Sequence, residues 1–221
     1  MQYTEMTTDI ILIDVVGFSK LSNEQQLRTV LRLGEMVTAT LRNLTGLALR
    51  EVPEIVRGFI PTGDGTYVIL QPKFGGFGIF LSLSLRNALI EPPKRRTPQS
   101  LRVRIAAHTG TAIPFIDLTG KENFVGDGLN DTARLLSLPQ ETQSAVMAFA
   151  EDDNFVIAST AALELHGTVH GWEPSFYEAV RFRKSELHHF NDKHGRAHEL
   201  HAIECARAAV FAPPRSDNTA K

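Results

Sequence analysis

Cysteine, tryptophan and long apolar runs are all scarce in this sequence: it has one Cys, one Trp and no membrane-length hydrophobic stretch. With Cys205 alone no internal disulfide can form, and a reducing compartment fits. The longest apolar run, "FGGFGIFLSLSL" (74–85), is short and broken by glycine and serine, so it does not span a membrane. The opening "MQYTEMTTD" lacks the basic region and apolar run of a signal peptide. A cytoplasmic location is expected. An excess of one charge is missing too: 23 Lys and Arg stand against 25 Asp and Glu, a formal net charge of −2. That balance argues against a nucleic-acid groove and against a polybasic membrane patch. No internal repeat is visible.

What remains is an ordinary globular composition. The chain has 221 residues, 43% apolar and 22% charged, enough for one large domain with its own core. The domain is expected over residues 1–207, with 208–221 a disordered tail. "TDIILID" (8–14) reads as a buried strand. Ser22 and Gln25 form a capping-box pattern ahead of a helix of about five or six turns. Its apolar positions are Leu27, Val30, Leu31, Met36, Val37, Leu41 and Leu44. Residues 54–70 read as two strands around a Thr-Gly-Asp-Gly turn, with Pro61 beside it. A helix over 74–90, a Pro-rich loop at 91–100 and a strand over 101–110 follow. Then come a helix ending before Pro139, a strand over 154–160 and a short helix stopped by Gly167. A last strand follows near 197–206. This order predicts an α+β fold: a βαββαβ core with one mainly antiparallel sheet and helices on one face.

Asp14 closes the first strand and Asp64 sits in the hairpin turn. In a βαββ arrangement the first and third elements of the sheet lie side by side, so the two carboxylates can meet at one sheet end. Bare carboxylates about 4 Å apart repel by a few kcal/mol, so they call for a cation between them. Hard oxygen ligands suit Mg²⁺ or Mn²⁺, ions that usually arrive with a phosphate. The turn "VVGFS" that follows Asp14 can cradle a polyphosphate on its backbone N–H groups. Either motif alone is ordinary: an Asp at a strand end is commonly a cap, and a lone GDG is commonly just a turn.

Three further segments come in a telling order: "RIAAHTG" (104–110), "NFVGDGLNDTARLL" (123–136) and "DKHG" (192–195). With "IDVVGFS" and "TGDG" they resemble the catalytic domain of the class III nucleotidyl cyclases. That family shows Asp-x-x-Gly-Phe-Ser/Thr, Gly-Asp, Arg-x-x-x-His-x-Gly, Gly-x-x-x-Asn-x-x-x-Arg and a late Lys-Gly turn. Each motif is weak; five in register over residues 8–204 are specific.

The resemblance implies a ferredoxin-like core and a set of roles. Asp14 and Asp64, helped by the Val15 carbonyl, would hold two Mg²⁺ or Mn²⁺ ions. The backbone of Val16, Gly17, Phe18 and Ser19 would hold the terminal phosphates, with Arg104 beside them. Asn130 and Arg134, four apart on one helix face, would orient the ribose and stabilise charge at the α-phosphate. Lys193 matches the late phosphate-binding lysine, although "KHG" departs from "KG". The reaction implied is attack of the ribose 3′-hydroxyl on the α-phosphate, giving a 3′,5′-cyclic nucleotide and pyrophosphate. In the family two subunits share each site, so a homodimer with two shared active sites is implied.

The positions that read adenine or guanine in the family are Ile60 and Asn123 here, and neither purine code is present. Asn123 offers a donor and an acceptor that suit a pyrimidine edge. Arg57 and Phe59 lie near the same strand and are either base contacts or ordinary strand residues. The compact chain resembles the pyrimidine cyclases of Pycsar anti-phage defence, which make cyclic UMP, or less often cyclic CMP, for a separate effector protein. That resemblance implies UTP as substrate, CTP as the alternative, and no nucleic-acid or membrane partner. A purine cyclase with an unusual base pocket, and a silent nucleotide-binding domain, are the competing readings. His188, His189, His194, His198 and His201 crowd the last quarter and allow a zinc site or simple edge-strand histidines. Trp172 reads as a packed surface aromatic.

Overall fold

The structure is a computed structural model and describes residues 4–47, 52–90, 101–168 and 182–205. The Pro-rich segment 91–100, Trp172 and the expected tail lie outside the described residues. The chain begins with β1 (Met6–Val15), then a short 3₁₀ turn (Phe18–Lys20), α1 (Asn23–Leu47) and α2 (Val52–Ile55). The hairpin β2 (Val56–Pro61) and β3 (Gly65–Leu70) leads into α3 (Gly78–Ile90), β4 (Val103–Ile116) and β5 (Glu122–Val125). After α4 (Asp127–Leu136) and α5 (Gln140–Ala150) come β6 (Phe155–Ser159) and α6 (Thr160–Thr168). The edge is built by β7 (Phe182–Lys184), β8 (His188–Asn191) and β9 (Ala197–Cys205).

The main path of the sheet runs β2-β3-β1-β4-β6-β9-β7. Neighbours on it are antiparallel except β4 and β6, which are parallel. β1 to β4 therefore form the expected βαββαβ core. Alternation along β1 sends Ile11, Ile13 and Val15 to one face, where α1, α3 and α6 supply Leu33, Val37, Leu41, Leu81, Leu85 and Ala162. Ile10 and Leu12 point the other way, towards Leu129 and Leu135 of α4 and Val146 of α5. Helices thus cover both faces, not one. The expectation of a single covered face fails because α5 has little apolar pattern and element order alone assigns α4 no side.

The capping box forms as read: Ser22 N–H donates to Gln25 Oε1 at 2.9 Å and Gln25 N–H to Ser22 Oγ at 3.4 Å. The apolar positions of α1 divide, however. Val37 and Leu41 are buried, whereas Leu27 and Leu31 are 60% and 59% exposed and Val30 is also exposed. The buried stripe instead starts at Leu33.

Candidate active site

Asp14 lies opposite Gly65 in the β1–β3 register, and Val15 N–H donates to the Asp64 carbonyl at 3.0 Å. The two aspartates therefore flank the same corner of the sheet, Asp14 at the end of β1 and Asp64 in the β2–β3 turn. Gly65 is required for that approach, because a Cβ there would run into the Ile13 carbonyl oxygen. Asp64 is exposed; Asp14 is largely covered.

Arg104 of β4 stands opposite Asp14 on its other side. Its Nε donates to Asp14 Oδ2 at 3.0 Å, and its Nη2 reaches the same oxygen. The corner therefore carries two carboxylates and one guanidinium. The turn that closes it has Gly17 in the left-handed region (φ 75°), leading into the 3₁₀ turn. Val16 N–H is engaged, donating to the Arg102 carbonyl at 2.9 Å. Of the four residues expected to cradle phosphate, the free N–H groups belong at the start of the 3₁₀ turn, where a helical segment has no internal acceptors.

The second group of expected residues lies elsewhere. Asn130 is exposed on α4, and Arg134 sits one turn further along. Arg134 Nε lies 2.8 Å from Asp192 Oδ2, and its Nη1 donates to Asp131 Oδ1 at 3.0 Å. Asp192 begins the β8–β9 turn that carries exposed Lys193. From Arg104 the ladder rises three residues to Ala107, level with Ala158 of β6 and then His201 of β9. β9 rises four more to Ala197, so the separation is about 23 Å along the strands at 3.3 Å per residue. One chain cannot bring the Asp14–Asp64 corner and the Arg134–Lys193 corner to a single small ligand.

The expected base-contacting residues cluster on β2 and β5. Ile60 is half-buried against the cluster that holds Ile10, Ile69 and Phe124, while Arg57 pairs with Glu122 at 2.6 Å. Asn123 accepts Phe124 N–H on Oδ1 at 2.8 Å, and its amide also bonds Asp117. Both ends of the amide are therefore tied into the β4–β5 hairpin.

No group of three or more His, Cys, Asp or Glu side chains gathers into a metal-holding cluster among the described residues. The crowded histidines point apart: His189 faces Glu199, His198 faces Asp192 and His201 Nδ1 lies 2.8 Å from the Ser185 carbonyl oxygen. A pair of carboxylates, by contrast, suits Mg²⁺ or Mn²⁺, which take most of their other ligands from water and phosphate. Sequence reasoning missed Asp192, Asp131 and Arg196. Arg196 Nη1 joins Asp131 at 3.2 Å, so the three form one charged cluster around Arg134. The only signal for Asp192 and Arg196 was the charge density of "NDKHGR", while Asp131 sits beside Asn130 inside the motif already read.

Solved structures share this architecture. The guanylate cyclase domain of RhGC from Catenaria anguillulae in complex with GTP superposes with a TM-score of 0.62 at 15% identity, covering 91% of this chain and 98% of that one. The guanylyl cyclase Cya2 gives 0.61 at 16%, covering 94% and 97%. The adenylyl cyclase CyaB from P. aeruginosa gives 0.57 at 13%, covering 95% and 100%. The fold is that of a class III nucleotidyl cyclase domain. No protein-family model and no curated protein matches the chain. Among the described residues no helix is long and apolar enough to cross a membrane.

Proposed function

We propose that the chain is a nucleotidyl cyclase that works as a homodimer, with UTP as its preferred substrate. The observation that carries the cyclase reading is the meeting of Asp14 and Asp64 across the β1–β3 ladder, with Arg104 beside them. The separation of that corner from Arg134 and Lys193 supports a second copy: each site would take its carboxylates from one protomer and its cations from the other.

In this reading the ribose 3′-oxygen forms a bond to the α-phosphorus. The bond to the bridging oxygen breaks, pyrophosphate leaves, and the hydroxyl proton passes to solvent. Mg²⁺ or Mn²⁺ held by Asp14, Asp64 and the Val15 carbonyl would neutralise the phosphates and lower the pKa of the hydroxyl. Arg104 would leave Asp14 for the phosphates, which the Gly17–Ser19 backbone also binds, with Val16 shaping the turn. Asn130 would hold the ribose. Arg134 and Lys193 would take up the charge that develops in the transition state.

The pyrimidine assignment rests on the pocket strand and hairpin. Ile60 gives no hydrogen bond to a purine. Asn123, whose oxygen accepts Phe124 N–H and whose amide bonds Asp117, keeps one further N–H, and a donor there would match the 4-carbonyl of uracil rather than the exocyclic amine of cytosine. CTP is the next candidate. A purine cyclase is the second reading, favoured by structural neighbours described as guanylyl and adenylyl cyclases. The cyclic product would act as a second messenger in anti-phage defence, read by a separate effector protein.

Turnover of each of the four nucleoside triphosphates with Mn²⁺, read by mass spectrometry with Asp64→Ala as control, tests the proposal. Cyclic UMP is expected. Cyclic AMP or cyclic GMP as the main product overturns the pyrimidine reading. No cyclic product from any substrate overturns the cyclase reading and leaves a silent nucleotide-binding domain.

A further inference from the structure

The Asp192 side chain is only 5% exposed, although it lies in a turn between two edge strands. Its Oδ1 accepts the N–H groups of His194 (2.8 Å) and Arg196 (2.9 Å), which fixes the turn on either side of Gly195. Its Oδ2 faces Arg134 Nε at 2.8 Å and His198 Nε2 at 3.4 Å. His198 is itself buried and stacked on Phe190, with ring centroids 5.2 Å apart. A buried carboxylate with four donors cannot rotate freely. Its second oxygen is therefore a fixed point against which the Arg134 head is set.

Arg134 uses Nε on Asp192 and Nη1 on Asp131. A guanidinium carries five N–H donors in a rigid plane, and Nε–H and Nη1 lie on different edges of it, so Asp192 and Asp131 hold that plane from two sides. Among the described residues Nη2 has no partner. A lysine at position 134 could not be held in this way.

We propose that Asp192 is the positioning residue for Arg134: it locks the guanidinium plane through Nε and couples it to the turn that presents Lys193, with His198 backing the carboxylate. The proposal rests on the cyclase reading. It adds that the two cations are delivered as one unit, because a single carboxylate sets both the Arg134 plane and the turn geometry.

The test compares Asp192→Asn in the wild-type and Arg134→Lys backgrounds, in the full-length chain with Mn²⁺ and the best nucleoside triphosphate. In the wild-type background kcat falls about 10–100-fold, while KM changes little, because misplacement of a transition-state group costs on that scale. In the Arg134→Lys background the same substitution changes kcat by less than about twofold, since the fork it serves is gone. An equal fall in both backgrounds overturns the proposal, as does an undiminished kcat. Independently of activity, the Arg134 Nε–H proton gives a slowly exchanging NMR signal, assigned by its absence in Arg134→Lys. If Asp192→Asn melts early, that wild-type signal decides, and a rapidly exchanging Nε–H overturns the proposal. A wild type that forms no cyclic nucleotide sinks the cyclase reading itself; an active wild type with unaffected Asp192→Asn sinks this proposal alone.

Discussion

Arg104 and Asp14 pose the sharpest question at the scale of single residues. Arg104 donates twice to one oxygen of a carboxylate that the proposed reaction needs for a divalent ion. Both side chains are largely covered, at 28% and 19% exposure, so the pair is less screened than a surface ion pair. In the free protein the arginine therefore competes with the metal, and phosphate binding would draw it away. Arg104→Ala should bind Mn²⁺ about tenfold more tightly without nucleotide, the equivalent of ~1.4 kcal/mol, yet turn over more slowly. Calorimetric titration of Mn²⁺ into the nucleotide-free protein checks this; unchanged or weaker binding would show that the pair does not restrain the site. The meeting of Asp14 and Asp64 was legible in the sequence because it follows from strand order alone. The grip of Asp14 by Arg104 was not. It depends on β4 pairing with β1 in a register that puts residue 104 opposite residue 14, which no local pattern encodes.

Among the elements, α1 is apolar over a longer stretch than it buries. Leu33, Val37 and Leu41 pack into the core, while Leu27, Val30 and Leu31 lie on the turns before Leu33 and stay exposed, although Val30 falls on the same helix face as the buried stripe. Period counting sees one broad apolar face where the fold uses half. Leu41→Ala should cost about 2–5 kcal/mol and Leu31→Ala no more than ~0.5 kcal/mol in denaturant titrations. Comparable losses at both sites would mean that the exposed stripe is covered. The elements that escaped the sequence reading are short or weakly patterned. β5 has four residues and β7 three, and α5 buries only Val146 and Ala150 along "QETQSAVMAFA". β5 is only the short return strand of a hairpin on β4, and β7 pairs with β9, Phe182 opposite Cys205, across the intervening β8.

The β8–β9 turn has a pH signature of its own. Burial pushes the Asp192 carboxyl up, but the N–H donors of Arg196 and His194, with His198 and Arg134, outweigh it and hold the pKa at about 2. An unfolded Asp titrates near ~3.9, so the unfolded chain binds the proton first as pH falls. The stability Asp192 contributes is thus complete above about pH 4 and is lost as pH falls through about 2. Wild type should lose stability more steeply than Asp192→Asn across that window in acid-unfolding curves. Parallel curves would show that the carboxylate is not stabilised in the fold.

For the whole molecule, the decisive fact is that the Asp14–Asp64 corner and the Arg134–Lys193 corner occupy opposite ends of one sheet. On the proposed reading these are two halves of one site, and the partner that would complete each is another copy, inverted, so that each end meets its complement. That arrangement would give two sites per pair, and complementation between two inactive variants would detect it whichever nucleotide is the substrate. Asp64→Ala and Arg134→Ala chains, each inactive alone, are co-refolded in equal amounts and assayed for cyclic nucleotide formation. Half of random pairs are mixed and each mixed pair carries one intact site of two, so activity should return to about one quarter of wild type. A mixture as inactive as its components would contradict the shared site, and the homodimeric cyclase with it.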